Sequence, residues 1–145
     1  MLIVEQMPSH APPPGSISDA LELTWEQRHK TRQRVVTEGG REIGIKLPTA
    51  TRLRPGAVVY VGEGFHVIVT AAAEDVWSVR CDDALQLARV AYELGQRHLP
   101  VELGATLAAV RYDHTLEDLW RRLGVWAQRV RQPFLAESTA GHRHE

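Results

Sequence analysis

The residues best suited to chemistry in this 145-residue chain are its seven histidines and single cysteine. Neutral imidazole is the commonest nitrogen ligand for metals, so spacing decides which rings are candidates. In Gly95-Gln96-Arg97-His98-Leu99-Pro100 the glycine is expected to end a helix. The proline keeps the residue before it extended. His98 is therefore held on a stiff loop at the lip of a sheet. The plain alternative is a solvent-facing histidine at a helix C-terminus, where positive charge is mildly favoured. One imidazole does not make a metal site, but a two-fold dimer places a residue near the axis beside its own copy. Two imidazoles then converge without a second histidine nearby in sequence.

Three further groups could contribute. His142-Arg143-His144 is an H-x-H tail whose two rings share a side in an extended chain; short tracts of this kind bind metal or are ordinary chain ends. Asp113-His114 opens a helix, with Asp113 or Thr115 as its cap. The structural role is favoured for Asp113, and His114 is left open as a nitrogen ligand. Cys81 falls between a strand and a helix N-terminus, where a thiol can be activated, although a small packed core residue is the commoner outcome.

Arg28, Lys30, Arg32 and Arg34 alternate with His29, Thr31 and Gln33. In one strand this would put four cations on one face, either a docking strip for acidic protein or phosphate or a solvated surface. Aromatic residues for base stacking are not interleaved with them. The net charge is −1, from 17 basic and 18 acidic residues, so a nucleic-acid partner is not expected. Enzyme signatures are missing: there is no G-x-S-x-G elbow, P-loop, H-E-x-x-H or paired CxxC. The reading is a binding protein that catalyses no reaction.

Hydrophobic residues at 43% and charged residues at 24% suit a globular chain with a core. One cysteine excludes a disulfide framework and fits a reducing compartment. No membrane-length apolar run and no signal-peptide pattern are present, so a cytoplasmic protein without membrane contact is expected.

The elements that must position these residues fall into two halves. Residues 1–73 show strand periodicity and turn signals with no good helix. Gln33 to Thr37 and Arg41 to Leu47 flank Glu38-Gly39-Gly40, and Ala57 to Val61 and Phe65 to Thr70 flank Gly62-Glu63-Gly64; each is a hairpin pattern. Ile43, Ile45 and Leu47 share a face, as do Phe65, Val67 and Val69. Residues 74–135 alternate strand and helix. Val76 to Cys81 is a strand, and Asp82 is the expected cap of a helix carrying Leu87, Val90, Ala91 and Leu94 at i, i+3, i+4, i+7. Gly95 is expected to stop it. Val101 to Leu103 and Thr106 to Tyr112 are strands. Leu116, Leu119, Trp120 and Leu123 form the stripe of a second helix, closed by Gly124, and Val125 to Val130 is a last strand. The order β-α-β-β-α-β is the ferredoxin-like split βαβ arrangement, making the chain α+β. The tail after Pro133, residues 136–145 in particular, is expected to be polar and unstructured.

These residues resemble a family, the nickel-delivering urease accessory protein. The likeness runs through Leu23-Thr24-Trp25-Glu26-Gln27-Arg28, Gly40-Arg41-Glu42-Ile43-Gly44, Lys46-Leu47-Pro48, Leu53-Arg54-Pro55-Gly56, Ala88 to Tyr92, the G-x-R-H-x-P element ending at Pro100, and Tyr112-Asp113-His114-Thr115-Leu116. It implies a β-rich N-terminal domain, for which partner docking is the expected role, and a ferredoxin-like domain for metal binding and dimerisation. It also implies a homodimer, or a dimer of dimers, with His98 of each subunit at the interface. His114, His142 and His144 are the implied accessory ligands. Nickel(II) is the implied cargo, with zinc(II) or copper(II) able to bind the same site. The implied partners are the urease accessory GTPase and the apo-urease complex. Two departures stand out: Gln96 replaces the asparagine of the family pattern, and the tail carries only two histidines. The alternative is a metal-responsive regulatory module without a urease role.

Overall fold

A computed structural model describes residues 1–137 of the chain. The chain divides into two compact units, Met1–Ala72 and Ala73–Glu145. The fold class is α+β, with a β-rich first region and a βαββαβ second region.

In the first unit, β1 (Leu2–Val4), β3 (Arg32–Val36) and β4 (Glu42–Lys46) form one sheet in the order β1-β4-β3. A second sheet, β2-β6-β5, is built from β2 (Ile17–Leu23), β5 (Val58–Val61) and β6 (Phe65–Ala71). Both expected hairpins form, β3 antiparallel to β4 and β5 antiparallel to β6. Alternation places Leu21, Leu23, Ile43, Ile45, Val67 and Val69 in a single core, as period-two patterning requires.

The β3–β4 turn is fixed from outside itself. Asp19 on β2 is only 6% exposed. Its carboxylate accepts from Thr37 Oγ1 at 2.6 Å, Gly39 N–H at 2.9 Å and Arg41 Nη1 at 2.7 Å. Gly40 takes φ of +89°, which glycine adopts without a Cβ penalty.

One helix interrupts this unit, contrary to the all-strand expectation. α1 (Trp25–Arg28) is a single turn, started by a capping box in which Thr24 accepts from Gln27 N–H and Gln27 reaches back to Thr24 N–H. A reciprocal cap of this kind satisfies two orphan donors at once. It also breaks the expected basic strip. Arg28 lies in the helix, 3% exposed, with Nη1 donating to Leu23 O at 2.7 Å. Only Arg32 and Arg34 belong to β3.

In the second unit, β7 (Ala73–Arg80), α2 (Ala84–Gln96), β8 (Glu102–Leu103), β9 (Leu107–Arg111), α3 (Glu117–Leu123) and β10 (Trp126–Pro133) follow in the expected order. The sheet order is β10-β7-β9-β8, and every neighbouring pair is antiparallel. β7 and β8 are split by β9. The helical stripes meet the sheet in one core that includes Trp77, Val79, Val90, Leu94, Val110, Leu116, Leu119 and Trp120.

Several boundaries move. The cap of α2 is Asp83, which accepts from Gln86 N–H at 2.9 Å, whereas the N–H of Asp82 is taken by the Gln86 side chain. Asp113, not Thr115, caps a 3-10 turn at His114–Leu116 that leads into α3. Gly124 closes α3 with φ of +67°. β10 runs to Pro133, and beyond it Phe134 and Ala136 are buried; the tail does not turn polar and unstructured directly after Pro133. The larger part of the expected tail, residues 138–145 with His142 and His144, lies outside the described residues. Among the described residues no helix is long and apolar enough to cross a membrane.

Candidate metal centre

The geometry around His98 begins at the end of α2. The helix runs through Gly95 rather than stopping there, and Arg97 is its C-cap. The N–H of His98 donates to Gly95 O at 3.0 Å and the N–H of Leu99 donates to Leu94 O at 3.2 Å. These are the two bonds of a Schellman cap, whose left-handed residue is usually glycine. Here that residue is His98, with φ of +58°. The left-handed conformation disfavours a residue with a Cβ by about 1–2 kcal/mol. Pro100 follows, buried.

The neighbours of His98 are tied back onto the helix. Gln96 Nε2 donates to Tyr92 Oη at 2.8 Å. Arg97 Nη1 donates to Glu93 O at 2.9 Å and to its carboxylate at 3.0 Å. The longer Gln96 thus uses its amide within α2, at an i,i+4 spacing that the sequence contained. His98 is exposed, and among the described residues its ring makes no hydrogen bond or ion pair. A stiff backbone therefore presents one imidazole with both nitrogens available.

His114 is also exposed, in the 3-10 turn after β9. Asp113 beside it is occupied, accepting from Thr115 N–H at 2.9 Å and Thr115 Oγ1 at 2.7 Å. Those hydrogen bonds hold its carboxyl below the usual range despite some desolvation, with a contribution from His114. Trp77 Nε1 donates to Asp113 O at 2.8 Å, anchoring the turn to β7.

Sheet register places these features together. Glu102, at the start of β8, pairs with Ala109; Arg111, at the end of β9, pairs with Val76; Pro133, at the end of β10, pairs with Ala73. The α2–β8 loop with His98, the β9–α3 turn with His114 and the exit of β10 therefore share one end of the sheet. The chain leaving β10 is held there, because Leu135 N–H donates to Glu102 Oε1 at 3.0 Å. Glu102 was not singled out from the sequence, and an isolated acidic residue in a strand gives no signal for that role.

Other candidates are engaged elsewhere. The His29 ring stacks on Trp25 at 4.0 Å between centroids, with Nδ1 2.7 Å from Trp25 O. His66 Nδ1 lies 2.8 Å from Ser16 Oγ. Cys81 is 4% exposed, and burial, with Asp82 and Asp83 adding to it, pushes its thiol up. That opposes a thiolate ligand. Among the described residues no three His, Cys, Asp or Glu side chains gather into a group able to hold a metal.

Comparison with known proteins supplies the relatives. Residues 3–72 match the family described as UreE urease accessory protein, N-terminal domain, and residues 74–145 match the corresponding C-terminal domain. A urease accessory protein UreE from Alkalilimnicola ehrlichii is 40% identical over 140 residues, covering 97% of this chain and 83% of that protein. Those from Burkholderia mallei and Burkholderia pseudomallei are each 43% identical over 128 residues, covering 86% of this chain. The aligned part is 63% of each Burkholderia protein, so the chain spans less than two thirds of their length.

Proposed function

This chain belongs to the UreE family of urease accessory proteins, and on that premise we propose that it is a nickel(II) carrier for urease maturation. The observation that carries the proposal is His98: a histidine in the glycine position of a Schellman cap, exposed, with its neighbours tied back. A solvated loop has no need to hold a histidine in that conformation.

Two copies of the chain form a homodimer through the second unit, and the His98 imidazoles meet near the two-fold axis. Pairs of such dimers can share one ion. His114, from the same end of the sheet, and the tail histidines His142 and His144 add ligands. Nickel(II) accepts imidazole and oxygen ligands in tetragonal or octahedral geometry, and two rings leave positions for water or for a recipient's ligands. An incomplete shell allows incoming ligands to bind before the old ones leave. Zinc(II) and copper(II) bind the same donors. Copper(II) binds them more tightly than nickel(II), so selectivity rests on availability and on the recipient. The recipients are the urease accessory GTPase and the apo-urease complex, in the cytoplasm, and the first unit serves docking. The protein moves an ion and catalyses no reaction.

The test is a nickel titration by calorimetry with light scattering, comparing the intact chain, His98→Ala and a chain ending at Ala140. Loss of the tightest site in His98→Ala, at one ion per dimer or per pair of dimers in the parent, is the expected result. Parent-like binding by His98→Ala, with loss only in the truncated chain, would overturn the interface site.

A further inference from the structure

The outer face of the β1-β4-β3 sheet gathers three cations on two neighbouring strands. Ile3, Gly44 and Arg34 lie in one row across the three strands, and Arg32 stands directly opposite Lys46. Arg32, Arg34 and Lys46 are all exposed, and among the described residues none of them forms an ion pair. Like charges placed directly across two strands destabilise a sheet. Elsewhere Arg41, Arg97, Arg121, Arg122, Arg129 and Arg131 each meet a carboxylate. Within β1, β3 and β4 the acid on this face is Glu42, opposite Val36 at the far end.

The same face has an apolar side. Ile3 is 47% exposed and Met1 62%. The side chains of Ile3 and Met1 lie over Gly44, where a Cβ would stand 3.2 Å from Ile3 Cδ1 and 3.6 Å from the end of Met1. Cations along β3 and β4 thus border an aliphatic strip formed by Met1 and Ile3. No aromatic ring lies in these strands to stack on a base.

We infer that this face docks an acidic protein segment bearing an aliphatic anchor, with Arg32, Arg34 and Lys46 meeting its carboxylates and Met1 and Ile3 its apolar side chain. The inference rests on the carrier reading only for its biological partner, which would be a member of the urease maturation machinery; the surface itself is tested without it.

The first measurement is amide chemical-shift mapping on the full chain with a synthetic peptide of alternating glutamate and leucine. Shifts should gather on β1, β3 and β4, weaken with added salt, and vanish in Arg32→Glu/Arg34→Glu while surviving in Arg32→Lys/Arg34→Lys. Shifts gathered elsewhere, or unchanged in the glutamate variant, overturn the surface. The second measurement is affinity for the urease accessory GTPase, which should fall at least tenfold in the glutamate variant while its nickel stoichiometry stays at the parent value and its melting temperature does not fall, since the change removes the repulsion between Arg32 and Lys46. Parent-like GTPase affinity in that variant removes this face as the docking site but leaves the His98 carrier intact; lost nickel binding in His98→Ala with no GTPase binding by the parent has no bearing on the peptide map. Retention on duplex DNA or phosphatidylserine vesicles that disappears in the glutamate variant, with no peptide shifts, would assign the face to a phosphate-bearing partner and overturn the proposal.

Discussion

In the first unit the ring of His29 lies against Trp25 and that of His66 beside Ser16, so both imidazoles are parts of local packing. In the second unit His98 and His114 stand exposed at one end of a sheet, and what is constrained is the backbone beneath them. The same side chain is thus used in two ways. Where the ring is held, it is committed to the fold. Where the main chain is held and the ring is open, the donor atoms remain for something outside the chain. Composition alone counts all seven histidines equally; geometry sorts His29 and His66 from His98 and His114.

The sharpest way to break this comparison is to remove rings from each unit. His98→Ala should weaken the tightest nickel site by at least about 100-fold, the scale of losing one strong ligand pair. His29→Ala and His66→Ala should leave that affinity within about twofold in the same titration. Equal losses in all three would erase the distinction. Acidity offers a second cut. Protonated imidazole cannot ligate, so nickel affinity should fall steadily between about pH 8 and 5; a flat profile would remove histidine from the site.

The first unit has its own electrostatic dependence, centred on Asp19. Burial pushes its carboxyl up, but hydrogen bonds from Thr37, Arg41 and Gly39 and the Arg41 charge outweigh this and hold it below its ordinary value of 3.8. A lowered folded-state value means the stabilisation is complete above the unfolded-state value and is lost as pH falls through the folded one. Asp19→Asn should therefore lower stability at neutral pH by about 2 kcal/mol and flatten the acid-unfolding limb below about pH 4, while leaving nickel binding unchanged. Urea melts across pH would read this. Gly39→Ala probes the same latch sterically. The added Cβ would stand 2.9 Å from both carboxylate oxygens of Asp19, which three donors hold in place, so a loss of about 1–3 kcal/mol is expected. The smallest effect concerns Cys81, buried with a raised thiol value: thiol reagents should label it only at the rate of global unfolding, with or without nickel.

Much of the architecture was legible because alternation and helical spacing report burial directly. Ile43 and Ile45, Val67 and Val69, Val90 and Leu94, and Leu116, Leu119 and Trp120 are in the cores that periodicity assigned them, whereas Ala91 of the expected α2 stripe is not. What failed was punctuation. Gly95 suggested the end of α2, yet the helix ignores it and spends the left-handed residue at His98; histidine tolerates that region better than most residues with a Cβ, but glycine is the stronger signal and stands three residues too early. The alternating cations from Arg28 to Arg34 imitate a strand, but the Thr24–Gln27 capping box claims Arg28 for a helical turn and sends it inward. Docking through Arg28 was therefore misplaced, and a charge reversal there would test folding instead. At the site, His98 and His114 could be nominated from sequence, whereas their shared sheet end depends on strand register, and the Glu102 bond to Leu135 joins residues too far apart for any local pattern.

The left-handed conformation of His98 also sets two selective pressures against each other. In a library chosen only for heat tolerance, glycine or asparagine at position 98 should be enriched, since glycine has no Cβ to conflict and asparagine offsets the conflict by local hydrogen bonding, while both keep the cap bonds. In a library chosen for growth on limiting nickel, histidine should be retained and compensating gains should arise elsewhere in the second unit. Position 98 is thus where improving this protein as a folded object would erase the carrier role proposed for it.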